Sequence, residues 1–274
     1  MKVDLNADLG ESYGSWRMGD DDALLKVVTS ANVACGFHAG DPVTMVRTCI
    51  AAAARGVVVG AHPSYPDLVG FGRRRMELSA EELTASVVYQ LGALDACCRA
   101  AGTRLAYVKP HGALYHEVSR NAAAARTFVL GVVSVGALAV LGLAGSELLT
   151  AAAELELQTA AEVFADRRYL ADGTLVPRGE HGAIVDDPDE VAERVVAMVT
   201  RGSVRAIDGT VLPVVADSIC LHSDTPGAVV LARSHEAAAE RRARGTRRGG
   251  RPGRGARRRG IRTKRGWCRR RCAR

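Results

Sequence analysis

The sequence has few aromatic residues and lacks two motifs that mark common enzyme classes. Phe, Trp and Tyr make up 4% of the 274 residues, so alanine, valine and leucine must fill the core. The N-terminus, Met-Lys-Val-Asp-Leu-Asn-Ala-Asp, has no apolar segment typical of a secretory signal peptide. The absence of G-x-x-x-x-G-K-[ST] excludes a P-loop, and the absence of H-E-x-x-H excludes a zinc site of that helical type.

The cysteines do not form a recognisable disulfide pattern. Their number is odd and no spacing repeats, at positions 35, 49, 97, 98, 220, 268 and 272. A long chain with such cysteines is typical of a reducing compartment. We therefore expect a cytoplasmic protein.

One uncharged segment of 20 residues, Thr127–Ser146, has nearly the length that spans a bilayer. Gly136 lies near its middle and can end a helix that begins before it. The residues that follow, Ala137–Leu143, are apolar throughout, as in a strand of a parallel sheet that is buried on both faces. The segment therefore predicts a buried helix and a buried strand, with no membrane span.

The formal net charge of +7 conceals two oppositely charged parts. Residues 1–234 contain 20 Lys and Arg against 28 Asp and Glu, whereas residues 235–274 contain 17 against 2. The basic part is Arg, Gly and Ala with little else, so it cannot bury a core. We expect a catalytic domain over 1–233 and a disordered or frame-shifted tail over 234–274. Nucleic-acid binding through the tail is the less favoured alternative.

Predicted strands and helices alternate along the acidic part, which indicates an α/β fold with a mostly parallel sheet. Asp41-Pro42, Asp187-Pro188 and the capping box Ser79–Glu82 mark three helix starts. The even spacing of seven strands favours a closed (β/α) barrel over a doubly wound sheet. The predicted strands are Val3–Asn6, Thr29–Ala34, Val57–Ala61, Leu105–Lys109, Ala137–Leu143, Gln158–Val163 and Ser218–Leu221. The predicted helices are Asp22–Lys26, Pro42–Arg55, Ala80–Ala101, Arg120–Val133, Glu147–Leu155 and Pro188–Thr200.

Polar side chains cluster after six of the seven predicted strands. In a parallel barrel the carboxyl ends of all strands open on one face, which holds the active site. Helix capping alone does not account for six such clusters, so the pattern indicates an enzyme. The candidate residues are Asn6, Asp8, Glu11, His38, Asp41, His62, Lys109, His111, Glu162, Asp166, Arg167, His222 and Asp224.

The residue types suggest several kinds of chemistry. Lys109 ends an apolar strand, so its ammonium must leave the core at the barrel mouth and bind an anion or pair with an acid such as Glu162. His62 precedes a proline that holds its backbone extended, which suits a fixed ligand, a base or a rigid turn. An Asp-His-His set of nitrogen and oxygen ligands could hold a divalent metal, formed by Asp8, His38 and His62.

Several long runs, taken in order, resemble the LamB/YcsF family. They are DLNADLGES (4–12), SANVACGFHAGDP (30–42), GAHPSYPD (60–67), GFGRR (70–74), VKPHGALY (108–115), EVFADRRY (162–169), DGTLVPR (172–178) and ICLHSDTPGAV (219–229). The resemblance implies a distorted (β/α) barrel related to the glycoside hydrolase/deacetylase superfamily. It also implies the A subunit of an ATP-dependent 5-oxoprolinase, which opens 5-oxo-L-proline to L-glutamate together with subunits B and C.

The resemblance assigns provisional roles. Lys109, His111 and Arg167 would hold the carboxylate and phosphate of an activated lactam. Asp8, His38 or His62 would activate water. The remaining candidates would bind substrate, namely Asn6, Glu11, Asp41, Glu162, Asp166, His222 and Asp224.

The sequence departs from the family pattern at three places. Ser223 replaces a usual glycine, His116 replaces a usual asparagine, and the basic tail replaces a final helix that continues past residue 233. Two other functions stay open. One is a metal-dependent deacetylase or amidohydrolase acting on an N-acyl sugar, and the other is a module that binds a small anion.

Overall fold

The computed structural model describes residues 3–221, which form a closed parallel barrel surrounded by helices. The strands are β1 (Asp4–Leu9), β2 (Ser30–Ala34), β3 (Val58–His62), β4 (Leu105–Val108), β5 (Ala139–Leu143), β6 (Thr159–Phe164), β7 (Ser203–Arg205), β8 (Val211–Pro213) and β9 (Ser218–Leu221). The helices are α1 (Asp21–Leu24), α2 (Pro42–Arg55), α3 (Ala80–Ala100), α4 (Gly112–Arg120), α5 (Ala122–Val135), α6 (Glu147–Glu154) and α7 (Pro188–Arg201).

The barrel has seven strands in the order β1-β2-β3-β4-β5-β6-β9, and every neighbouring pair is parallel. Ser218 of β9 stands opposite Asp4 of β1 on one side and Glu162 of β6 on the other, which closes the ring. The predicted barrel of seven parallel strands is confirmed. The antiparallel hairpin of β7 and β8 lies outside the ring and was not predicted.

The helix starts that the sequence predicted are confirmed by their hydrogen bonds. The Asp41 carboxylate accepts from the Val43 and Thr44 amides, with Pro42 in the first turn of α2. Ser79 and Glu82 form the reciprocal capping box of α3. Asp187 caps α7 by accepting from the Asp189 amide.

The uncharged segment from residue 127 to residue 146 contains the second half of α5, a break at Gly136 and then β5. This division matches the prediction of a buried helix followed by a buried strand. None of the helices within residues 3–221 is long and apolar enough to cross a membrane.

One predicted strand end was wrong, and one helix was missed, in ways that affect the site. β1 extends to Leu9, where the prediction ended it at Asn6, so Asp8 lies on the strand itself. The strand continues because Asn6 and Asp8 face a polar barrel interior, while Leu5, Ala7 and Leu9 pack outward among the core residues. The predicted helix Arg120–Val133 corresponds to α5 within two residues at each end, whereas α4, which ends at Arg120, was not predicted.

Most of the apolar core lies between the barrel and its helices, and a smaller cluster fills one end of the barrel. This smaller cluster consists of Tyr107, Ala139, Leu141 and Ala160. A side chain at Gly60 would lie about 2.2 Å from the Tyr107 ring, so the glycine makes room for that ring. Apolar packing at this level leaves the carboxyl ends of the strands for polar side chains.

Some predicted features lie outside residues 3–221. They are the candidate site residues His222 and Asp224, the final helix expected near 226–233 and the basic tail. Their predictions therefore stay predictions.

Candidate active site

A buried polar network fills the barrel interior at the carboxyl ends of the strands. The side-chain amide of Asn32 donates to Asn6 Oδ1 at 2.7 Å and to Asp8 Oδ1 at 2.8 Å. The Tyr107 hydroxyl donates to Asn32 Oδ1 at 2.7 Å, which joins this network to the apolar layer below. Asn6 in turn donates to the Ser218 hydroxyl at 2.7 Å, across the seam that closes the barrel.

Lys109 sits at the centre of this network as a buried ammonium. Its Nζ lies 3.2 Å from Asp8 Oδ1 and 3.1 Å from Glu162 Oε2, and it donates to Cys220 Sγ at 3.0 Å. Burial acts to lower the pKa of Lys109, but the charges of Asp8 and Glu162 outweigh it and hold that pKa well above its usual value. Lys109 is therefore a permanent cation that contacts two carboxylates.

Three histidines and Glu11 lie together beside the Lys109 network. His62 Nδ1 is 2.8 Å from the Lys109 carbonyl, and His111 Nε2 is 2.9 Å from the Phe71 carbonyl. The other nitrogens of these two rings, His62 Nε2 and His111 Nδ1, face each other at 3.0 Å. The His38 ring stacks on His111 with centroids 3.9 Å apart.

Burial keeps two of these imidazoles neutral. It lowers the pKa of His38 well below the usual value, and the neighbouring His62 adds to the effect. Burial, His38 and His62 lower the pKa of His111 in the same way. At neutral pH both rings therefore carry a lone pair on one nitrogen.

Two glycines allow the loops around the histidines to approach closely. A Cβ on Gly72 would lie 2.2 Å from Ser64 Oγ and 3.0 Å from the His111 ring. A Cβ on Gly112 would lie 2.4 Å from the Gly72 carbonyl, and both glycines have positive φ. The GFGRR and KPHG motifs therefore need glycine because these two loops are in direct contact.

A cavity of about 420 Å³ opens above the network, a size suited to a small metabolite. Its floor includes Asp8, Glu11, His62, Lys109 and His111. The rest of its wall includes Arg73 from the loop before α3, Tyr115 of α4 and Phe164 at the end of β6. The loop after β6 adds Arg167, Leu175 and Arg178. An acidic and histidine-rich floor thus lies below a rim with three arginines.

Arg167 is a buried arginine of the rim. Its guanidinium donates to the Val176 carbonyl, and its buried Nε has no hydrogen-bond partner among residues 3–221. Burial lowers the pKa of Arg167 to about 10, so it stays charged at neutral pH. A fixed guanidinium with a spare donor is suited to a carboxylate or a phosphate.

Most of the predicted site residues converge in this region. The polar floor and the histidine group bring together eight of them, namely Asn6, Asp8, Glu11, His38, His62, Lys109, His111 and Glu162. Asp166 and Arg167 follow β6 and are buried beside them. The Asp41 carboxylate instead accepts hydrogen bonds from the first amides of α2, the Thr44 hydroxyl and the Gly14 amide. A substrate role for Asp41 therefore gains no support.

The prediction of site residues omitted several that take part. Asn32 links Asn6 to Asp8 by hydrogen bonds. An asparagine within an apolar strand could have marked it as a candidate site residue. Arg73, Tyr115 and Arg178 line the cavity and occur in the quoted motifs. Arg73 and Arg178 lie on loops away from the predicted strand ends, which is why reasoning from strand order did not select them, whereas Tyr115 lies in the segment after β4.

The potential metal ligands differ from the predicted Asp-His-His set. The atoms offered by Glu11, His38, His62 and His111 all lie within 4.8 Å of one another. Asp8 is adjacent, with Oδ1 3.4 Å from His62 Nε2, but that oxygen already accepts from Asn32 and Lys109. The acidic member of the cluster is therefore Glu11, and His111 joins it.

One short run, Gly10–Gly14, fits the pattern G-x-S-x-G without forming a nucleophile elbow. Such an elbow needs a sharp turn from strand to helix with the serine exposed at its tip. Here β1 ends at Leu9 and α1 begins only at Asp21, and the Ser12 hydroxyl accepts from the Met18 amide at 3.0 Å. The structure does not indicate a serine nucleophile at this position.

Comparisons with known proteins agree with the fold and the motifs. The sequence profile of the LamB/YcsF family matches residues 3–248. A protein of Mycolicibacterium gilvum, named as the A subunit of 5-oxoprolinase, is 58% identical over 84% of this chain and 92% of its own. One of the same name from Streptomyces coelicolor is 57% identical over 86% of this chain and 95% of its own.

A solved structure, the lactam utilization protein from Thermus thermophilus, superimposes with a TM-score of 0.84 at 45% sequence identity. The match covers 89% of this chain and 98% of that one. The ordered motifs, the seven-stranded barrel and these matches lead to one conclusion. The chain belongs to the LamB/YcsF family.

Proposed function

We propose that this chain is the A subunit of an ATP-dependent 5-oxoprolinase, which opens 5-oxo-L-proline to L-glutamate together with subunits B and C. The names of relatives that are more than half identical over most of the chain support this assignment. The observation that carries it is the buried group of Asp8, Lys109 and His62, set in a small cavity beneath three arginines.

The chemistry of the substrate accounts for the use of ATP. A five-membered lactam resists water, and phosphorylation of its oxygen gives an activated imidate with a phosphate as a second anionic group. The sequence contains no P-loop, so we assign the phosphoryl transfer to the partner subunits. The rim arginines would bind the carboxylate and the phosphate, with Arg167 as the fixed member.

Ring opening then needs a base on the cavity floor. Asp8 accepts a proton from water as the water oxygen bonds to C5 of the imidate. The C5–N bond breaks, and both protons of the water end on the nitrogen. The product is γ-glutamyl phosphate, which a second water converts to glutamate and phosphate.

Tyr115 is suited to donate a hydrogen bond during these steps. Burial and the charge of Glu162 raise the pKa of Tyr115 well above its usual value, so the phenol stays protonated. Tyr115 lines the cavity, and its buried hydroxyl donates a hydrogen bond to the Glu162 side chain. A donor of this kind stabilises negative charge that develops on an oxygen in the transition state.

The proposal also includes domain boundaries and a compartment. The barrel domain would occupy residues 1–233 and the basic tail 234–274, because β9 already closes the ring at Leu221. The five cysteines within residues 3–221 are all free thiols, which is consistent with the reducing conditions of the cytoplasm.

The test is glutamate release from 5-oxoproline and ATP by a reconstituted complex with subunits B and C. Asp8→Asn should lower release by about 10²–10⁴-fold, the usual contribution of a general base. Asp22→Asn is the matched control, because Asp22 is exposed and pairs only loosely with Arg55. Full release by an intact complex carrying Asp8→Asn would refute the assignment of the base. An intact wild-type complex that releases no glutamate would refute the proposed function.

A further inference from the structure

The hydrogen bonds of two histidines fix which of their ring nitrogens carry protons. A carbonyl oxygen can only accept, so His62 Nδ1 must donate to the Lys109 carbonyl and His111 Nε2 must donate to the Phe71 carbonyl. In the neutral rings the remaining nitrogens, His62 Nε2 and His111 Nδ1, therefore carry lone pairs. These two lone pairs face each other across 3.0 Å.

Such an arrangement is unfavourable unless something positive lies between the two nitrogens. Two acceptors at hydrogen-bonding distance with no hydrogen between them repel each other, and burial strengthens that repulsion. Only a shared proton or a bound cation removes it. The surroundings of the pair decide between these two possibilities.

Two further groups face the same point. Glu11 Oε1 lies 3.6 Å from His111 Nδ1 and 3.7 Å from His38 Nε2. His38 is 1% exposed, and neither of its ring nitrogens makes a hydrogen bond to any residue within 3–221. A shared proton between His62 and His111 leaves His38 unsatisfied, whereas a metal ion can use all three imidazoles once the His38 ring turns.

We infer that Glu11, His38, His62 and His111 bind one divalent transition-metal ion of the zinc class. Three imidazoles and one carboxylate suit zinc and its neighbours in the first transition row better than magnesium or calcium. Ligands about 2.0–2.1 Å from a tetrahedral ion lie roughly 3.3 Å apart. Three of the separations, 3.0, 3.6 and 3.7 Å, lie near that value, and all six are within 4.8 Å.

The surroundings of the four residues match those of known metal-binding histidines. Such histidines usually donate their second ring nitrogen to a backbone carbonyl or a carboxylate, as His62 and His111 do here. Three buried carboxylates, Asp8, Glu11 and Glu162, share this end of the barrel with the buried ammonium of Lys109. A divalent cation reduces this excess of negative charge.

The four ligands should not contribute equally. The His38 and His111 rings are nearly parallel, with an interplanar angle of 12°. A lone pair lies in the plane of its ring, so two stacked rings cannot both point at one ion unless one of them turns. His38 is therefore expected to be the weakest ligand, and His62 and His111 the strongest.

The experiment measures metal bound to the full-length chain. The protein is cleared of metal with a chelator, incubated with Zn²⁺ alone, dialysed and analysed for elemental zinc. A background of Cys268→Ser and Cys272→Ser removes thiols that could bind zinc elsewhere. We expect one zinc per chain and a melting temperature that rises on zinc addition.

The variants place the ion at the proposed residues. His62→Ala and His111→Ala should each weaken zinc affinity about 100-fold or more, because losing even an outer partner of a ligand costs 10–100-fold. His38→Ala should weaken it less. His116→Ala, which changes another cavity residue, and His181→Ala, on the surface, should leave zinc binding unchanged.

A spectroscopic measurement on the unaltered ligands guards against variants that fail to fold. Co²⁺ in place of Zn²⁺ should give the visible absorption of a four- or five-coordinate site without a thiolate charge-transfer band. Failure of the wild-type chain to retain zinc or cobalt would overturn the inference in favour of a shared proton. Equal retention by folded His62→Ala and His111→Ala would also overturn it. None of these measurements needs a substrate, so their outcome is independent of the proposed oxoprolinase activity.

Discussion

Replacing Lys109 with methionine tests whether the buried ammonium holds the barrel floor together. Lys109 Nζ lies 3.2 Å from Asp8 and 3.1 Å from Glu162, and all three side chains are buried. Removing one partner of a buried ion pair costs about 3–5 kcal/mol, since the remaining charge is left uncompensated. In a domain of this size each kcal/mol lowers the melting temperature by about 2–4 °C, so Lys109→Met should lower it by about 6–20 °C.

The loss of stability in the Lys109→Met variant should depend on pH in a defined direction. The folded-state pKa of Lys109 is raised, so its stabilisation is fully present below the pKa of an unfolded lysine and is lost only as pH rises through the higher folded value. In the variant, Asp8 and Glu162 face each other without a cation, and uptake of one proton relieves their repulsion. The gap in stability between wild type and variant should therefore narrow as pH falls from 8 toward 5.

Urea unfolding at pH 8 and pH 5 measures both effects. Lys26→Met is the matched control, because Lys26 is exposed and its loss should change stability little. The double variant Lys109→Met/Glu162→Gln removes one positive and one negative charge, and it should recover much of the loss. A Lys109→Met chain that unfolds at the same urea midpoint as Lys26→Met at pH 8 would refute this account of the floor.

Three other substitutions test the loops, the rim and a cap. Gly72→Ala should abolish glutamate release and lower the melting temperature more than Gly102→Ala, because both glycines have positive φ but only Gly72 would clash. Arg167→Met should raise KM for 5-oxoproline more than it lowers kcat, whereas Arg168→Met should leave both nearly unchanged, because Arg168 pairs with Glu190. Asp41→Ala should destabilise the barrel by about 1 kcal/mol in urea unfolding. This loss should shrink as pH falls from 3.8 toward 2, because hydrogen bonds, first from the Thr44 hydroxyl, lower the pKa of Asp41 to about 2 and that stabilisation is lost on protonation.

The strands were predictable because each apolar run ends where polar residues begin. β9 agrees with its prediction at both ends, and the other barrel strands agree within three residues. The predicted end of β1 came too early, because predicting a strand from an apolar run assumes an apolar barrel interior, whereas Asp8 faces a polar one. The prediction places Asp8 in the loop after β1, although Asp8 and Asn6 are two residues apart and share one face of the strand.

One missed element, α4, lacks the signals from which helix starts are predicted. His111 stands at the cap of α4 but makes no capping hydrogen bond from its side chain, and the next residue is a glycine. A start of this kind gives no sign in the sequence. The strands β7 and β8 have only three residues each, although the Asp208-Gly209 turn between them was a usable hairpin signal.

The site was predictable as a set of residues but not as a geometry. Strand order alone brings Asp8, His62 and Lys109 to one end of the barrel. Which acid lies among the histidines depends on where the chain runs after β1, and that path brings Glu11 to His38 and His111. The tautomers depend on two backbone carbonyls, at Lys109 and Phe71, whose positions no residue pattern specifies.

The separation of charge between floor and rim determines how an anionic substrate can bind. Two carboxylates of the floor, Asp8 and Glu11, line the cavity, and the three arginines stand in the wall above them. An anion placed about 4 Å from one floor carboxylate would meet a repulsion of roughly 4 kcal/mol at an effective dielectric constant near 20, which the single Lys109 ammonium of the floor offsets only in part. The same group beside Arg167 gains a charge-assisted hydrogen bond. Under the proposed function we therefore expect a substrate with anionic ends and a neutral ring to place its anionic groups at the rim, with the ring carbon above Asp8.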